Sequence, residues 1–263
     1  MNGLTIYRIN AIVLRNLLRY RHNAMTLVDI IFWPTLDIVV WGTTSIWFAK
    51  SATNIQNIAL AILTGLVFWE MTLRAIYEIS VGMINEIHEK SLLTIFTTPL
   101  TIAEWITATI LTSMLRAVAS SAFCSILIVI FYATNIFTIG WMFVPFAFSL
   151  IASGWAIGFI GAGFIIYYGN KVQGMPWMLP WFIVPFSAVY YPLDALPVWM
   201  KYIGLSLPTS YIFEGMRSIL FLHHIPWKTL ATSLGLNILY LTGAITFFVF
   251  MFKKSKEKGL ARL

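Results

Sequence analysis

Apolar runs of about 20 residues, the length an α-helix needs to cross a hydrocarbon core about 30 Å thick, recur along this whole chain. Of its 263 residues, 59% are hydrophobic and 10% charged, with a mean hydropathy of +0.83. A soluble domain carries about 25% charged residues, so too few are present here to coat a water-facing surface. In lipid every backbone polar group must be satisfied internally, which restricts spanning segments to helices or closed barrels. A barrel needs alternating patterns that this sequence lacks. The sequence therefore predicts an all-α integral membrane protein.

The hydrophobic pattern places six spans at 26–48, 58–84, 103–132, 139–168, 175–191 and 230–252, in a single transmembrane domain covering 1–263. Ahead of them, within 1–24, Ile6, Ile9, Val13, Leu17 and Tyr20 recur at helical spacing while Arg8, Arg15 and Arg19 lie elsewhere around the wheel. This is the pattern of an amphipathic helix lying in the membrane interface. The fifth run is interrupted by Pro176, Pro180 and Pro185, each lacking a backbone donor and bending the helix. From 192 to 227 the helical stretches are broken by Pro197, Gly204, Pro208 and Pro226. They are too short to span, and predict a re-entrant or interfacial outer region.

The net charge of +7 arises mainly from basic residues at the two ends of the chain. Beside apolar segments these act as topology determinants, placing both termini in the cytoplasm and requiring an even number of crossings. They do not point to nucleic acid. No removable signal peptide is evident at the N-terminus. A lone cysteine, Cys124, excludes an internal disulfide and reads as a small core hydrophobe.

Catalytic motifs are lacking. Gly169 to Gly174 has the spacing of a phosphate loop, but Met175 and Pro176 follow in place of Lys and Ser or Thr. His223 and His224 are adjacent and point apart on a helix, with no third metal ligand at suitable spacing. The informative polar residues lie inside the spans, where a charge costs about 2.5–3.5 kcal/mol even on an insertion scale. Glu70, Arg74 and Glu78 fall at i, i+4 and i+8 on one stripe, with Asp37 and Arg116 on neighbouring spans able to complete a buried network. That network is either a packing device or the lining of a substrate path or gate. Asp29 lies nearer the cytoplasmic end of its span. Gly154, Gly158 and Ala162 make a small-residue ridge suited to close helix packing. Trp177, Trp181, Tyr190, Tyr191, Trp199 and Tyr202 gather around the fifth span and the outer region, as an interface belt or as stacking faces for glycan or lipid.

Two segments resemble the membrane permeases of ABC-2 type exporters. The first runs from Asn85 to Leu100 and includes Glu86, Ile87, His88, Glu89, Lys90, Ser91, Leu92, Leu93 and Thr97-Thr98-Pro99. It is similar to the family's cytoplasmic coupling segment, with Lys90 in place of the usual Gly and Leu93 in place of a frequent acid. The second runs from Phe186 through Ala188, Tyr190, Tyr191, Pro192 and Asp194 to Trp199, continuing to Pro208, Tyr211, Glu214 and Arg217. It is similar to the family's fifth span and re-entrant outer helices, with Ala188 where Gly is common.

The resemblance implies a permease dimer in the bacterial inner membrane, bound to two copies of a separate cytoplasmic ABC ATPase and cycling by alternating access. ATP and Mg would reside on that partner, and this chain would hold no cofactor and perform no catalysis. Residues 86–92 and the amphipathic helix would form the coupling contact, with Glu86 and Glu89 offering carboxylates to the ATPase; a solvated charged loop is the alternative reading. The expected cargo is amphipathic, a lipid-linked saccharide or polysaccharide, or a hydrophobic drug-like molecule. Two other classes stay open: a proton-coupled secondary transporter using Glu70, Arg74 and Glu78, and an intramembrane lipid-modifying enzyme.

Overall fold

The computed structural model of the chain describes residues 3–22, 24–50, 55–92 and 97–257. Among these residues the fold is all-helical, without a strand, and five helices are long and apolar enough to cross a membrane. The α-helices that build the bundle among the described residues are α1 (Gly3–His22), α2 (Ala24–Lys50), α3 (Ile55–His88), α4 (Ile102–Tyr132), α5 (Phe143–Tyr168), α6 (Met175–Ile183), α7 (Val198–Ser206), α8 (Pro208–Leu222) and α9 (Trp227–Glu257). The five long apolar helices are α2, α3, α4, α5 and α9. The 34 residues of α3 extend about 51 Å at 1.5 Å per residue, so it projects beyond the hydrocarbon core.

The bundle is centred on α3 and α5, most of whose residues are buried, while α2, α4 and α9 leave most of theirs facing outward. In a membrane the outer faces meet lipid, so their apolar side chains need no protein cover. The central pair is held by close approach. A Cβ built on Gly154 would lie 2.6 Å from Ala75 Cβ and 2.7 Å from the Thr72 carbonyl oxygen, and one on Gly158 would lie 3.0 Å from Ile79 Cβ. Between α5 and α9 a buried polar seam joins the close approach of Gly163 to Phe247. Ser149 and Ser233 hydroxyls meet at 2.8 Å, Ser153 donates to Asn237 Oδ1 at 2.8 Å, and Asn237 Nδ2 donates to the Ser149 carbonyl at 2.8 Å.

These pairings fix helix directions. Thr72 and Ala75 meet Gly154, and Ile76 and Ile79 meet Gly158, so α3 and α5 run parallel. Ser149 with Ser233 and Ser153 with Asn237 make α5 and α9 parallel as well. The chain leaves α5 at one end of the bundle and enters α9 at the other, so residues 169–226 return across its thickness. The nine residues of α6 and the three of the 3₁₀ turn Val184–Phe186 supply about 20 Å of that return.

Irregular backbone supplies the rest. Ser187, Ala188 and Val189 are buried, and buried backbone needs partners. α8 provides them: Ser210 donates to the Phe186 carbonyl at 3.0 Å, Arg217 Nη2 donates to the Ala188 carbonyl at 2.7 Å, and the Leu193 N–H donates to Glu214 Oε1 at 2.7 Å. Ala188 itself has φ +55°, a left-handed conformation that costs a residue with a Cβ roughly 1–2 kcal/mol. Ala188→Gly is accordingly expected to leave thermal stability unchanged or raised. Ala188→Val, adding β-branching at a buried positive-φ site, is expected to lose about 1–3 kcal/mol. Melting of the purified variants checks both.

Candidate functional site

The final turn of α3 forms a corner with α1 and the start of α4. Glu86 is buried, and its carboxylate accepts hydrogen bonds from Arg15, from Arg19 at 3.0 Å, and from the Ser91 hydroxyl. Arg19 also pairs with Glu89 at 3.0 Å. Further along, Arg8 donates to the Pro99 carbonyl at 2.8 Å and lies 3.6 Å from Glu104. Glu104 closes a capping box with Thr101 that starts α4. Three arginines of α1 thus strap it to the corner, while Ile6, Leu14, Leu17 and Leu18 of the same helix stay exposed. The arginines face protein, and the exposed leucines and isoleucine suit a lipid surface.

This changes the roles read from the sequence for the corner. Glu86 was expected to present its carboxylate to a partner; instead three intrachain donors enclose it, because an unpaired buried carboxylate costs far more than a paired one. Leu92 is buried and Ser91 partly so, whereas His88, Glu89 and Lys90 are exposed. Lys90 ends the turn with φ +53°, the left-handed residue that terminates a helix and redirects the chain. Leu93 to Phe96, in the same predicted segment, lie outside the described residues.

Within the bundle the α3 stripe resolves into two pairs facing α4. Arg74 Nε donates to Glu70 Oε1 at 2.5 Å, and the same oxygen accepts from Ser120 at 3.0 Å. One turn away Arg116 pairs with Glu78. Asp37 joins neither pair and makes no ion pair among the described residues; it lines a small cavity with Pro34, Glu70 and Cys124 between α2, α3 and α4. The expected five-residue network is two ion pairs with Asp37 beside one of them. A second small cavity, lined by Asn16, Arg19, Glu78, Gly82 and Glu86, joins this region to the corner. Residues 70, 74, 78 and 86 fall on a ridge of four-residue steps that winds slowly around α3, carrying charge over about 24 Å from the α4 side to the α1 side.

At the opposite end of α3 the outer residues named from the sequence come together. Tyr190 stacks on Trp41 with ring centroids 4.3 Å apart, and Tyr191 donates to the Pro185 carbonyl at 2.7 Å. Pro208 opens α8, and its carbonyl accepts from Ser233 at 2.7 Å. Glu214 and Arg217 pair at 3.0 Å, and Pro192 borders the cavity that they line. Asp194 and Lys201 meet at 2.5 Å on the surface, and that hydrogen bond holds the Asp194 carboxyl below the usual carboxylate range. No protein-family model matches the chain, and no curated protein matches it.

Among the described residues no group of three or more His, Cys, Asp or Glu side chains is placed to hold a metal ion. What the sequence did not single out is the pairing of Arg15 and Arg19 with Glu86, and the Ser149–Ser153–Asn237 seam. The first carried a signal, since Arg15 and Arg19 are spaced i, i+4 on one face, but their partner lies some 70 residues away. The seam's serines fall at i, i+4 inside an apolar run, a weak mark of an interhelical hydrogen bond.

Proposed function

We propose that the chain is the membrane permease subunit of an ATP-driven exporter, acting as a dimer with two copies of a cytoplasmic ABC ATPase. It would move an amphipathic substrate, a lipid-linked saccharide or polysaccharide or a hydrophobic drug-like molecule, outward by alternating access. One observation carries the reading. At both positions where the resemblance expects Gly and the chain has another residue, Lys90 and Ala188, the backbone φ is positive. Only two further non-glycine residues among those described, Ala133 and His223, share that conformation. A chain departing from the family by chance would not place its substitutions on left-handed backbone.

Two further features support it. Residues 169–226 return across the bundle between parallel helices, and counting that return as a crossing gives six, with the outer region re-entrant. The C-terminal ends of α3, α5 and α9 then share one side with the arginine strap, Lys171, Lys253, Lys254 and Lys256, a bias that supports a cytoplasmic placing of that side. The strap itself supports coupling. α1 is tied to the corner at both ends, so a push on His88, Glu89 or Lys90 is delivered to α1, α3 and α4 together. In contrast, Glu70 and Glu78 each hold an arginine, an arrangement favouring neutralisation over a proton relay.

The deciding experiment is affinity purification of the tagged chain from its native membrane, with mass identification of companions and an ATP hydrolysis assay. A stoichiometric ATPase is the expected companion; a well-preserved complex without one removes the exporter reading in favour of a carrier or intramembrane enzyme. Within the complex, replacing His88, Glu89 and Lys90 together by Ala is expected to reduce ATPase recovery at unchanged permease yield. Unchanged recovery with normal stimulated turnover takes the corner out of the coupling role.

A further inference from the structure

A cavity of about 550 Å³ opens at the N-terminal end of α3, opposite the arginine strap. Ligand pockets are typically 300–1,000 Å³. One wall is Ile58, Ala61 and Ile62 of α3, another is the irregular backbone at Val189, Tyr190 and Pro192, and the third is α8. The α8 wall is a stripe at helical spacing, Glu214, Arg217, Ser218, Phe221 and Leu222. Its polar groups sit toward one end of the cavity and its apolar groups toward the other.

The two charges at the polar end are fixed in place but not exhausted. Arg217 spends Nη2 on the Ala188 carbonyl and on Glu214 Oε1, and Nη1 has no acceptor among the described residues. Glu214 Oε1 accepts from Arg217 and from the Leu193 N–H, and Oε2 accepts from no described residue. The cavity therefore offers one guanidinium N–H group and one carboxylate oxygen side by side, with net charge near zero, above an apolar chamber. An anion alone would meet the carboxylate, and a cation alone the guanidinium. A group carrying both signs, joined by a short linker and followed by hydrocarbon, satisfies both ends.

We propose that this cavity binds one zwitterionic phospholipid, with its phosphate on Arg217, its primary ammonium on Glu214 and an acyl chain against Ile58, Ile62, Phe221 and Leu222. A primary ammonium can donate a hydrogen bond to the carboxylate as well as neutralise it. The bound lipid would prop α8 against α3 and cover buried backbone that otherwise borders an open space. The site depends on the chain's being a membrane protein and not on the exporter reading.

Native mass spectrometry of the delipidated, detergent-purified full chain tests this, using phosphatidylethanolamine, phosphatidylglycerol with the same acyl chains, and free phosphoethanolamine as probes. The expected result is one saturable phosphatidylethanolamine adduct. Phosphatidylglycerol is expected to bind on the order of tenfold more weakly, the scale of one lost charge-assisted hydrogen bond. Free phosphoethanolamine, lacking the acyl chain, is expected to give no adduct. Ala61→Phe fills the chamber from the α3 wall without touching Arg217 or Glu214, and is expected to abolish the adduct while the protein remains monodisperse. If that variant fails to fold, Ser218→Phe fills the chamber from the α8 wall. Equal binding of the two lipids, free phosphoethanolamine binding as well as the lipid, or an undiminished adduct in a folded filled variant overturns the proposal. So does the absence of any saturable adduct in the unmodified chain, a comparison that needs no variant.

Discussion

Arg116→Leu is expected to lower the folded yield and melting temperature of the detergent-purified chain by the equivalent of about 3–5 kcal/mol, the cost of breaking a buried ion pair by removing one partner. The pair joins α4 to α3, and Glu78 is 3% exposed. Two effects compete in setting the size of the loss. A neutral interhelical hydrogen bond in a bilayer averages about 0.6 kcal/mol in double-mutant cycles, too little to be noticed in yield. A carboxylate that loses its guanidinium in a low-dielectric interior is a far larger penalty, and that term decides the outcome. The sign test follows from the same argument. In the Glu78→Leu/Arg116→Leu double variant neither charge is buried, and well-packed apolar replacements of a buried pair are often neutral or stabilising. The double variant should therefore be closer to the parent than Arg116→Leu alone. If fluorescence-monitored melting places the double variant below both singles, with additive losses, the pair is not what Arg116 contributes.

The extent of the sequence's legibility follows from the range of the forces involved. The long apolar helices were readable because their apolar character depends on composition over a single helix. The helices found over Ile102–Tyr132 and Trp227–Glu257 begin and end within a few residues of the expected 103–132 and 230–252. The run 175–191 was harder. Its apolar composition is continuous, but Pro185 and the left-handed Ala188 end the helix early, and whether irregular backbone is tolerated there depends on Ser210, Glu214 and Arg217 arriving from α8. The acid-base-acid stripe on α3 was visible at i, i+4, i+8, and so was its internal Glu70–Arg74 pair. The choice of Arg116 by Glu78, and the exclusion of Asp37, depend on how far α4 and α2 slide along α3, which no local pattern encodes.

Glu86 shows the same limit from the other side. Its neighbours His88, Glu89 and Lys90 make a polar turn in the sequence, and a polar turn is ordinarily solvated. Burial came from Arg15 and Arg19, tertiary partners whose spacing on α1 looked like a water-facing stripe. Where charge pairs are long-range, the sequence distinguishes a charged surface from a charged interface poorly, and the structure is needed to assign the side.

Gly154→Leu is expected to abolish the native fold, because it strikes the central contact of the bundle. Even the first added carbon would lie 2.7 Å from the Thr72 carbonyl oxygen and 2.6 Å from Ala75 Cβ. Backbone is the nearer obstacle on one side, so no rotamer change relieves the clash, and α3 must move off α5. Overpacking a well-packed interior costs about 1–3 kcal/mol for a methylene or two; Gly154→Ala should fall in that range, and the three further carbons of leucine should exceed it. The movement also separates residues one turn along the same face, where a Cβ on Gly158 would lie 3.0 Å from Ile79 Cβ and 3.1 Å from the Ile76 carbonyl oxygen. Gly235→Ala on α9 is the internal control: nothing lies within 4 Å of the added carbon, and alanine's better helix propensity, up to about 1 kcal/mol, makes it neutral or slightly stabilising. Size-exclusion profiles and melting curves of the three variants separate the explanations. Loss confined to the Gly154 variants identifies helix approach as the cause. A Gly235→Ala loss of the same size would instead mean that the bundle needs glycine for backbone flexibility, and that the α3–α5 contact is not its limiting element.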